Sequence, residues 1–274
     1  MSERASPALY RETRGHGEPV VLLHGWGMNL RIFDALRDAL ASQHEVTSID
    51  LPGHGRSGWD APADAQHQLE WLGANLPRSA TLIGWSLGGQ LALQLADRAA
   101  VAARRLVLIA TSPRFVSSAD WPYGLPTSTL QRFGQQLAAD PDATVAEFLE
   151  LQVRGSVAGP AVLERLQRSL REHGSARPEA LQAGLTMLEH NDLRALARGI
   201  ELPVLLIAGQ YDRVTSPQAA QALSQMLPQA QLLKIRRAGH APFLSHAAQV
   251  TSALLDFTRA GAHTSVPRAA LRPA

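Results

Sequence analysis

Short runs of consecutive apolar residues recur along the chain, and segments with helical periodicity lie between them. The runs span residues 19–24, 45–50, 80–85, 104–110, 203–209 and 230–235. Several are apolar throughout rather than alternating with polar residues, as parallel strands covered on both faces require. Helical stretches such as LRIFDALRDAL and SPQAAQALSQML separate the runs. This alternation predicts an α/β fold, with a mostly parallel central sheet and helices on both of its faces.

The alternation stops between about residues 112 and 198. This segment contains helical stretches but no convincing strand. Pro141, Pro160 and Pro178 fall near the starts of its predicted helices, where a missing N–H group does no harm. We interpret the segment as a helical cap inserted into the core. The predicted organisation is a core in two parts, residues 1–111 and 199–259, a cap at 112–198, and a disordered tail at 260–274.

Length and composition are those of an ordinary globular protein. The 274 residues, of which 45% are hydrophobic and 18% charged, allow one large domain with an insertion. The formal charge is +2 and the arginines are scattered among acidic residues, so we expect neither a nucleic-acid nor a membrane partner. The absence of cysteine excludes disulfides, thiolate catalysis and cysteine-ligated metals. Without a signal-peptide pattern or a membrane-spanning run, we expect a cytoplasmic protein. We also expect a monomer.

The segment GWSLG, residues 84–88, places a serine between two glycines at the end of a predicted strand. It matches the G-x-S-x-G pattern, in which the glycines allow a sharp strand-to-helix turn that lifts the serine above the sheet edge. A serine hydroxyl is a weak nucleophile, so it needs a base, a group that orients the base, and donors for the oxyanion. Ser86 is therefore the candidate nucleophile. The alternative is an idle serine in a glycine-rich turn.

Asp212 and His240 are the candidate partners of Ser86. Asp212 follows the fifth predicted strand, at the edge where parallel α/β sheets place their ligands. It could instead cap a turn or pair with Arg213. His240 lies in a glycine-containing loop after the last predicted strand, where the alternative is a surface histidine. The chain order Ser, Asp, His favours the catalytic interpretation, because one class of α/β sheet builds this triad in that order.

Two backbone N–H groups are candidate oxyanion donors. One belongs to Leu87, the residue after the serine, and the other to Trp26, in the loop after the first predicted strand. The Trp26 indole would line the pocket, although a tryptophan there could instead be ordinary packing.

His24 and His54 stand in separate glycine-rich loops without the spacing of a zinc motif. We interpret them as loop-shaping residues and expect no metal site.

Five motifs together resemble the α/β-hydrolase superfamily over about residues 9–258: HGWG, DLPGHGRS, GWSLGG, GQYDRVTSP and AGHAPFLSHA. Within it, LLHGWGMN, LIGWSLGGQLAL, FLELQ and HAPFLSHA resemble the pimeloyl-[acyl-carrier protein] methyl ester esterases of biotin synthesis. The resemblance implies an α/β-hydrolase fold with Ser86, Asp212 and His240 as catalytic residues. The substrate-contacting residues that it implies are Trp26, Ser86, Leu87, Phe148, Leu149, Glu150, Leu151, Gln152 and His240.

The resemblance also implies a reaction and a partner. The reaction is hydrolysis of the methyl ester of pimeloyl-[acyl-carrier protein] to the free acid and methanol, with no metal or organic cofactor. Because a carrier protein is acidic, arginines on the cap are expected to receive it. The candidates are Arg154, Arg165, Arg168 and Arg171.

The predicted helix PAVLERLQRSLREH carries three of these arginines. Its apolar stripe at Val162, Leu163, Leu166 and Leu170 would face the core and leave the arginines on the outer face. The alternative is a solvated face in which Glu164 and Arg168 pair at i, i+4.

Two other functions stay open at this point. One is a broad short-chain carboxylesterase, or another small hydrolase, because a single fold hosts many chemistries. The other is a non-catalytic ligand-binding protein with a hydrolase-like fold, which would not need an intact set of Ser86, Asp212 and His240.

Overall fold

The chain is described by a computed structural model for residues 8–59, 65–98 and 101–259. The tail predicted at 260–274 lies outside these residues. The strands are β1 Arg11–Arg14, β2 Glu18–Leu23, β3 His44–Ile49, β4 Thr81–Trp85, β5 Arg105–Ile109, β6 Val204–Gly209 and β7 Ala230–Ile235. They form one sheet in the order β1-β3-β2-β4-β5-β6-β7, in which every pair is parallel except β1 with β3. The predicted α/β fold with a mostly parallel sheet is confirmed.

Helices connect the strands. They are α1 Asp34–Leu40, α2 Ala65–Ala74, α3 Leu87–Ala96, α4 Thr127–Ala139, α5 Pro141–Val153, α6 Gly159–His173, α7 Pro178–His190, α8 Arg194–Arg198, α9 Pro217–Met226, α10 Pro242–Ser245 and α11 Ala247–Arg259. A 3₁₀ turn, Leu30–Phe33, precedes α1, so the predicted helix LRIFDALRDAL is divided in two. Pro141 and Pro178 open α5 and α7 as predicted, because the first turn of a helix does not need their missing N–H groups.

The sheet is the centre of the hydrophobic core. All residues of β4, β5 and β6 are buried, which agrees with their continuous apolar sequences. β1 is the strand that the sequence pattern misses. Its residues RETR are polar and mostly exposed, and it is held by antiparallel pairing of Arg11–Arg14 with β3 at the edge of the sheet.

The segment assigned to a cap holds α4 to α8, between β5 and β6. Helices α4, α5, α6 and α7 pack on one another, and α7 also contacts α2 of the core. Trp26 and His240, both at the carboxyl ends of core strands, are hydrogen-bonded to backbone groups of cap helices. The cap therefore covers the sheet edge that carries the candidate site. In the described ranges, no helix has both the length and the apolar character to cross a bilayer.

Candidate active site

Ser86 occupies a sharp turn between β4 and α3. Its φ of 56° and ψ of −116° are unfavourable for a residue with a side chain, and such strain is typical of functional sites. The glycines of the motif make the turn possible by close approach. A Cβ atom at Gly84 would lie 2.2 Å from the carbonyl oxygen of Gly88, and one at Gly88 would lie 2.2 Å from that of Leu23. The G-x-S-x-G spacing is thus explained by backbone packing around the serine.

Asp212 and His240 are brought together by the turns that follow β6 and β7. His240 Nδ1 lies 2.8 Å from Asp212 Oδ2. Both residues are buried. The other carboxylate oxygen, Oδ1, accepts hydrogen bonds from the N–H groups of Val214 and Thr215, and the Thr215 hydroxyl donates to Oδ2. Asp212 therefore caps its own turn and orients the imidazole at the same time, and Arg213 is not its partner.

The backbone of His240 is held from the serine side. The indole Nε1 of Trp85, the residue before the serine, donates to the His240 carbonyl oxygen at 2.8 Å, and the two rings lie 5.6 Å apart. Ser86 Oγ and His240 Nε2 are both buried, and neither makes a hydrogen bond within the described ranges. Hydrogen bonds between catalytic groups are often long before substrate binds and shorten in the complex. The arrangement can accept a proton at Nε2 while Nδ1 donates to the carboxylate.

The candidate oxyanion donors lie against the serine. Gly25 approaches it so closely that a Cβ atom there would be 3.4 Å from Ser86 Cβ, which places the loop containing Trp26 beside the hydroxyl. Trp26 and Leu87 are almost completely buried, and neither of their N–H groups has an acceptor among the described residues. Buried backbone donors are rarely left unpaired. Two such donors next to a serine can stabilise an oxyanion.

The described residues hold no group of three or more histidine, aspartate or glutamate side chains arranged to bind a metal ion. His24 and His54 have structural contacts instead. His24 Nε2 accepts from the N–H of Leu51, and its Nδ1 donates to the carbonyl oxygen of Gly25. Burial lowers the pKa of His24 well below its usual value, and the neighbouring His54 adds to this effect. The neutral ring joins the loops that follow β2 and β3.

Comparison with known proteins gives a family assignment. The model of a family described as alpha/beta hydrolases matches residues 20–253. The chain belongs to the alpha/beta hydrolase family. A solved esterase from Exiguobacterium antarcticum superimposes on this alpha/beta hydrolase with a TM-score of 0.82 at 22% identity, covering 92% of this chain and 96% of its own. At that identity the likeness concerns the fold alone.

Curated relatives are more similar in sequence to this chain than the solved esterase is. The hydrolase is 42% identical over 246 residues to the pimeloyl-[acyl-carrier protein] methyl ester esterase of Nitrosomonas europaea, a match that covers 89% of this chain and 97% of the relative. It is 41% identical over 250 residues to the protein of the same name from Xanthomonas axonopodis pv. citri, with coverage of 91% and 98%. The resemblance predicted from the motifs is confirmed.

Part of the predicted cap segment reaches the site of this hydrolase. Phe148 packs edge-on against the Trp26 indole, with ring centroids 5.1 Å apart. The carbonyl oxygen of Gln152 accepts a hydrogen bond from the His240 N–H, and its side-chain Oε1 is buried without a partner in the described ranges. Leu149 is buried and Leu151 partly buried.

Glu150 lies on a different face of α5 from the residues that reach the site. This residue lies two positions from both Phe148 and Gln152 on α5, so its side chain points away from their face of the helix. Glu150 is exposed, and its contact with substrate stays a prediction. The acidic residue just before Phe148, Glu147, bonds to Arg132 of α4 at 2.6 Å, and this contact lowers the pKa of Glu147.

The predicted arginines of the cap have different surroundings. Arg165 and Arg168 line a polar cleft between α6 and the turn that begins at Leu30. Arg168 is exposed, whereas Arg165 is half-buried and does not lie wholly on the outer face. Arg154 is exposed at the end of α5. These three positions remain candidates for contact with an acidic partner.

The ion pair between Glu164 and Arg168, the alternative to carrier docking, is not the pair that forms. Glu164 bonds to Arg171 instead, with Nη2 and Oε1 2.9 Å apart. The two residues are seven positions apart, so they lie on the same face of α6, two turns from each other. Both side chains are more than half exposed. Arg171 is thus occupied by an internal ion pair, which makes it the weakest of the docking candidates.

Two groups of residues that the structure places near the site were not predicted from the sequence. Thr215 holds the Asp212 carboxylate, and the sequence DRVTSP carries a signal for it, since aspartate often accepts from N–H groups two and three positions on. A buried cluster joins core to cap: His173 Nε2 lies 2.7 Å from Asp50 Oδ2, and Asn29 bonds to the carbonyl oxygen and hydroxyl of Ser169. These pairs are more than 100 residues apart, so no local spacing indicates them.

Proposed function

We propose that this alpha/beta hydrolase is a serine esterase that hydrolyses the methyl ester of pimeloyl-[acyl-carrier protein], releasing methanol and the free carboxylate in biotin biosynthesis. The observation that carries the proposal is the identity of 36–42% to relatives of that name over about nine tenths of this chain. The geometry around Ser86 supports the reaction class, because a buried serine, an oriented imidazole and two free N–H groups are what acyl transfer requires.

In the proposed acylation step, Ser86 Oγ attacks the ester carbonyl carbon while His240 Nε2 takes the hydroxyl proton. The carbonyl oxygen becomes an oxyanion and accepts hydrogen bonds from the N–H groups of Trp26 and Leu87. Asp212 holds the Nδ1–H tautomer and stabilises the imidazolium. The intermediate collapses, the bond to the methoxy oxygen breaks, and His240 gives that oxygen its proton. Methanol leaves and the acyl group stays on Ser86.

Deacylation repeats the cycle with water. His240 Nε2 takes a proton from the water, whose oxygen attacks the acyl carbon and forms a second oxyanion in the same place. Collapse of this intermediate breaks the bond to Ser86 Oγ, and His240 returns the proton to the serine. The products are the carboxylic acid on the carrier and the starting enzyme. The chemistry uses protein groups and water alone.

Rescue of a bacterial biotin auxotroph that lacks this esterase tests the proposed function in cells. We expect growth without biotin when the wild-type chain is expressed, and no growth when Ser86→Ala is expressed at the same level. A well-expressed wild-type protein that cleaves p-nitrophenyl esters but gives no growth would indicate a general carboxylesterase instead.

Reversing the charge of the polar cleft tests how the carrier docks. The double variant Arg165→Glu/Arg168→Glu is expected to lower kcat/KM for the carrier-linked ester by about tenfold or more, because association with an acidic partner loses its electrostatic attraction. Hydrolysis of p-nitrophenyl butyrate should be unchanged. The measurement is steady-state kinetics on both substrates at low ionic strength, where the effect is largest.

A matched control keeps the change in net charge the same. Arg78 and Arg104 are exposed and precede β4 and β5, at the sheet edge opposite the candidate site. The variant Arg78→Glu/Arg104→Glu should retain wild-type kcat/KM on the carrier-linked ester. Equal losses in the two double variants, or none in either, would show that the cleft at Arg165 and Arg168 does not receive the carrier.

A further inference from the structure

Helix α7 of the cap is fitted closely to the two residues whose N–H groups we assign to the oxyanion. Gly184 lies in the middle of α7 and is buried. A Cβ atom at this position would be 2.7 Å from Cδ1 of Trp26 and 3.1 Å from Cδ2 of Leu87. Both distances are below ordinary van der Waals contact. A single glycine therefore touches both proposed oxyanion residues from the cap side.

The Trp26 side chain cannot turn aside to make room. Its indole Nε1 donates to the carbonyl oxygen of Leu181, at 2.8 Å, one turn before Gly184 on the same helix. The ring of Phe148 from α5 packs against it at 5.1 Å between centroids. Trp26 as a whole is 1% exposed. Any atom added at Gly184 must push the loop containing Trp26 and helix α7 apart.

The loop next to Trp26 also packs against α7. A Cβ atom at Gly27 would lie 3.6 Å from Cδ2 of Leu181, so the side of α7 that binds the indole also covers the end of this loop. Leu181 and Gly184 are three positions apart and share one face of the helix. The position of α7 and that of the Trp26 backbone are thus fixed by the same set of contacts.

Glycine within a helix is destabilising relative to alanine, so helix formation alone does not favour glycine at position 184. We infer that Gly184 is a positioning residue: its missing side chain lets α7 seat Trp26 and Leu87 so that their N–H groups converge on the oxyanion. The contacts that hold α7 of the cap against the core are then the same contacts that position the two oxyanion donors. The inference rests on the oxyanion roles of Trp26 and Leu87 in the proposed function, and it does not depend on which ester is the physiological substrate.

Gly184→Ala tests the inference. Relieving the contact with Trp26 requires a displacement of about 1 Å, and an error of that size in a catalytic group lowers rates by about 10- to 100-fold. We expect that loss in kcat for p-nitrophenyl butyrate and for the carrier-linked methyl ester, with a smaller change in KM. An alkyl trifluoromethyl ketone is a second probe, because Ser86 Oγ adds to its carbonyl carbon and the ketone oxygen becomes an oxyanion. Its affinity should fall in parallel with kcat/KM.

Gly134→Ala is the matched control. Gly134 is also a helical glycine of the cap, in α4, but the nearest atom to a Cβ there would be Leu185 Cδ2 at an ordinary 3.7 Å. This variant should keep the wild-type kcat and the wild-type affinity for the trifluoromethyl ketone. A folded Gly184→Ala variant with wild-type kcat, or with a loss in KM alone, would overturn the inference.

A second variant decides the question if Gly184→Ala does not fold. Trp26→Phe keeps an aromatic ring and removes the hydrogen bond to Leu181, so it loosens the same contact without adding volume. We expect a loss of kcat and of trifluoromethyl ketone affinity together. Where Gly184→Ala does fold, the losses in the double variant should be less than additive, because both changes act through one contact. Unchanged ketone affinity in Trp26→Phe would overturn the inference.

Failure of the proposed function would give a different pattern. If the chain does not act on the carrier-linked ester, wild type and Gly184→Ala will both be inactive on it. The comparison of Gly184→Ala with Gly134→Ala on p-nitrophenyl butyrate would still be decisive for the role of α7.

Discussion

Ser86→Ala is expected to lower kcat for ester hydrolysis by about 10⁴- to 10⁶-fold, the range found when a nucleophile of this kind is removed. The expectation follows from the structure around the hydroxyl. Ser86 Oγ is buried, its backbone is strained, and the N–H groups beside it have no other acceptor among the described residues. Without the hydroxyl no acyl-enzyme can form. The measurement is initial-rate kinetics with p-nitrophenyl butyrate, together with labelling by a fluorophosphonate probe that reacts with activated serines.

Ser48→Ala is a suitable control for that experiment. Ser48 lies in β3, and its hydroxyl is also buried without a hydrogen-bond partner in the described part of the chain. Ser48 has no part in the proposed mechanism, so we expect Ser48→Ala to keep wild-type activity and wild-type labelling by the probe. If the probe labels Ser86→Ala as strongly as wild type, the nucleophile is a different residue.

Asp212→Asn is expected to lower kcat by about 10⁴-fold through the tautomer of His240. The N–H groups of Val214 and Thr215 donate to Oδ1, so in the asparagine variant this position favours the amide oxygen. The amide NH₂ then takes the place of Oδ2 and donates to His240 Nδ1. That hydrogen bond moves the imidazole proton to Nε2, where the ring can no longer accept the serine proton.

Thr215→Val provides the comparison for Asp212→Asn. It removes the hydroxyl that donates to Oδ2 but keeps the carboxylate and both backbone donors. The loss in kcat should be about 10- to 100-fold, smaller than for Asp212→Asn, since one hydrogen bond to a charged group contributes about 1.5–3 kcal/mol. Circular dichroism would confirm that both variants fold. A folded Asp212→Asn variant within tenfold of wild-type kcat would exclude Asp212 as the group that orients His240.

Strands β4, β5 and β6 were predictable because burial on both faces leaves a continuous apolar sequence. LIGW and LVLI, within β4 and β5, are runs of this kind, and their predicted ends differ from the observed ones by at most one residue. β1 was not predictable. Its polar residues Arg11–Arg14 become a strand through pairing with β3, which is a tertiary interaction that local sequence does not encode.

The candidate site was also predictable in part, where local sequence indicates it, and not where tertiary contacts decide. Ser86, Asp212 and His240 could be named as candidates because each follows a predicted strand, and parallel strands bring their carboxyl ends to one edge. The role inferred for Gly184 could not be predicted, because an isolated glycine in a helical pattern does not indicate which atoms it approaches. The alternative that paired Glu164 with Arg168 differs from the observed pair with Arg171, because both arginines lie on α6 at spacings that place them near the face of Glu164.

The most direct test of the proposed function is methanol release from purified pimeloyl-[acyl-carrier protein] methyl ester, compared with release from the same methyl ester carried on pantetheine alone. We predict turnover of both substrates by wild type and of neither by Ser86→Ala. We also predict a kcat/KM about tenfold or more higher for the carrier-linked ester, because the protein partner adds electrostatic attraction. No methanol from the carrier-linked ester, with a protein that readily cleaves p-nitrophenyl butyrate, would contradict the proposed function.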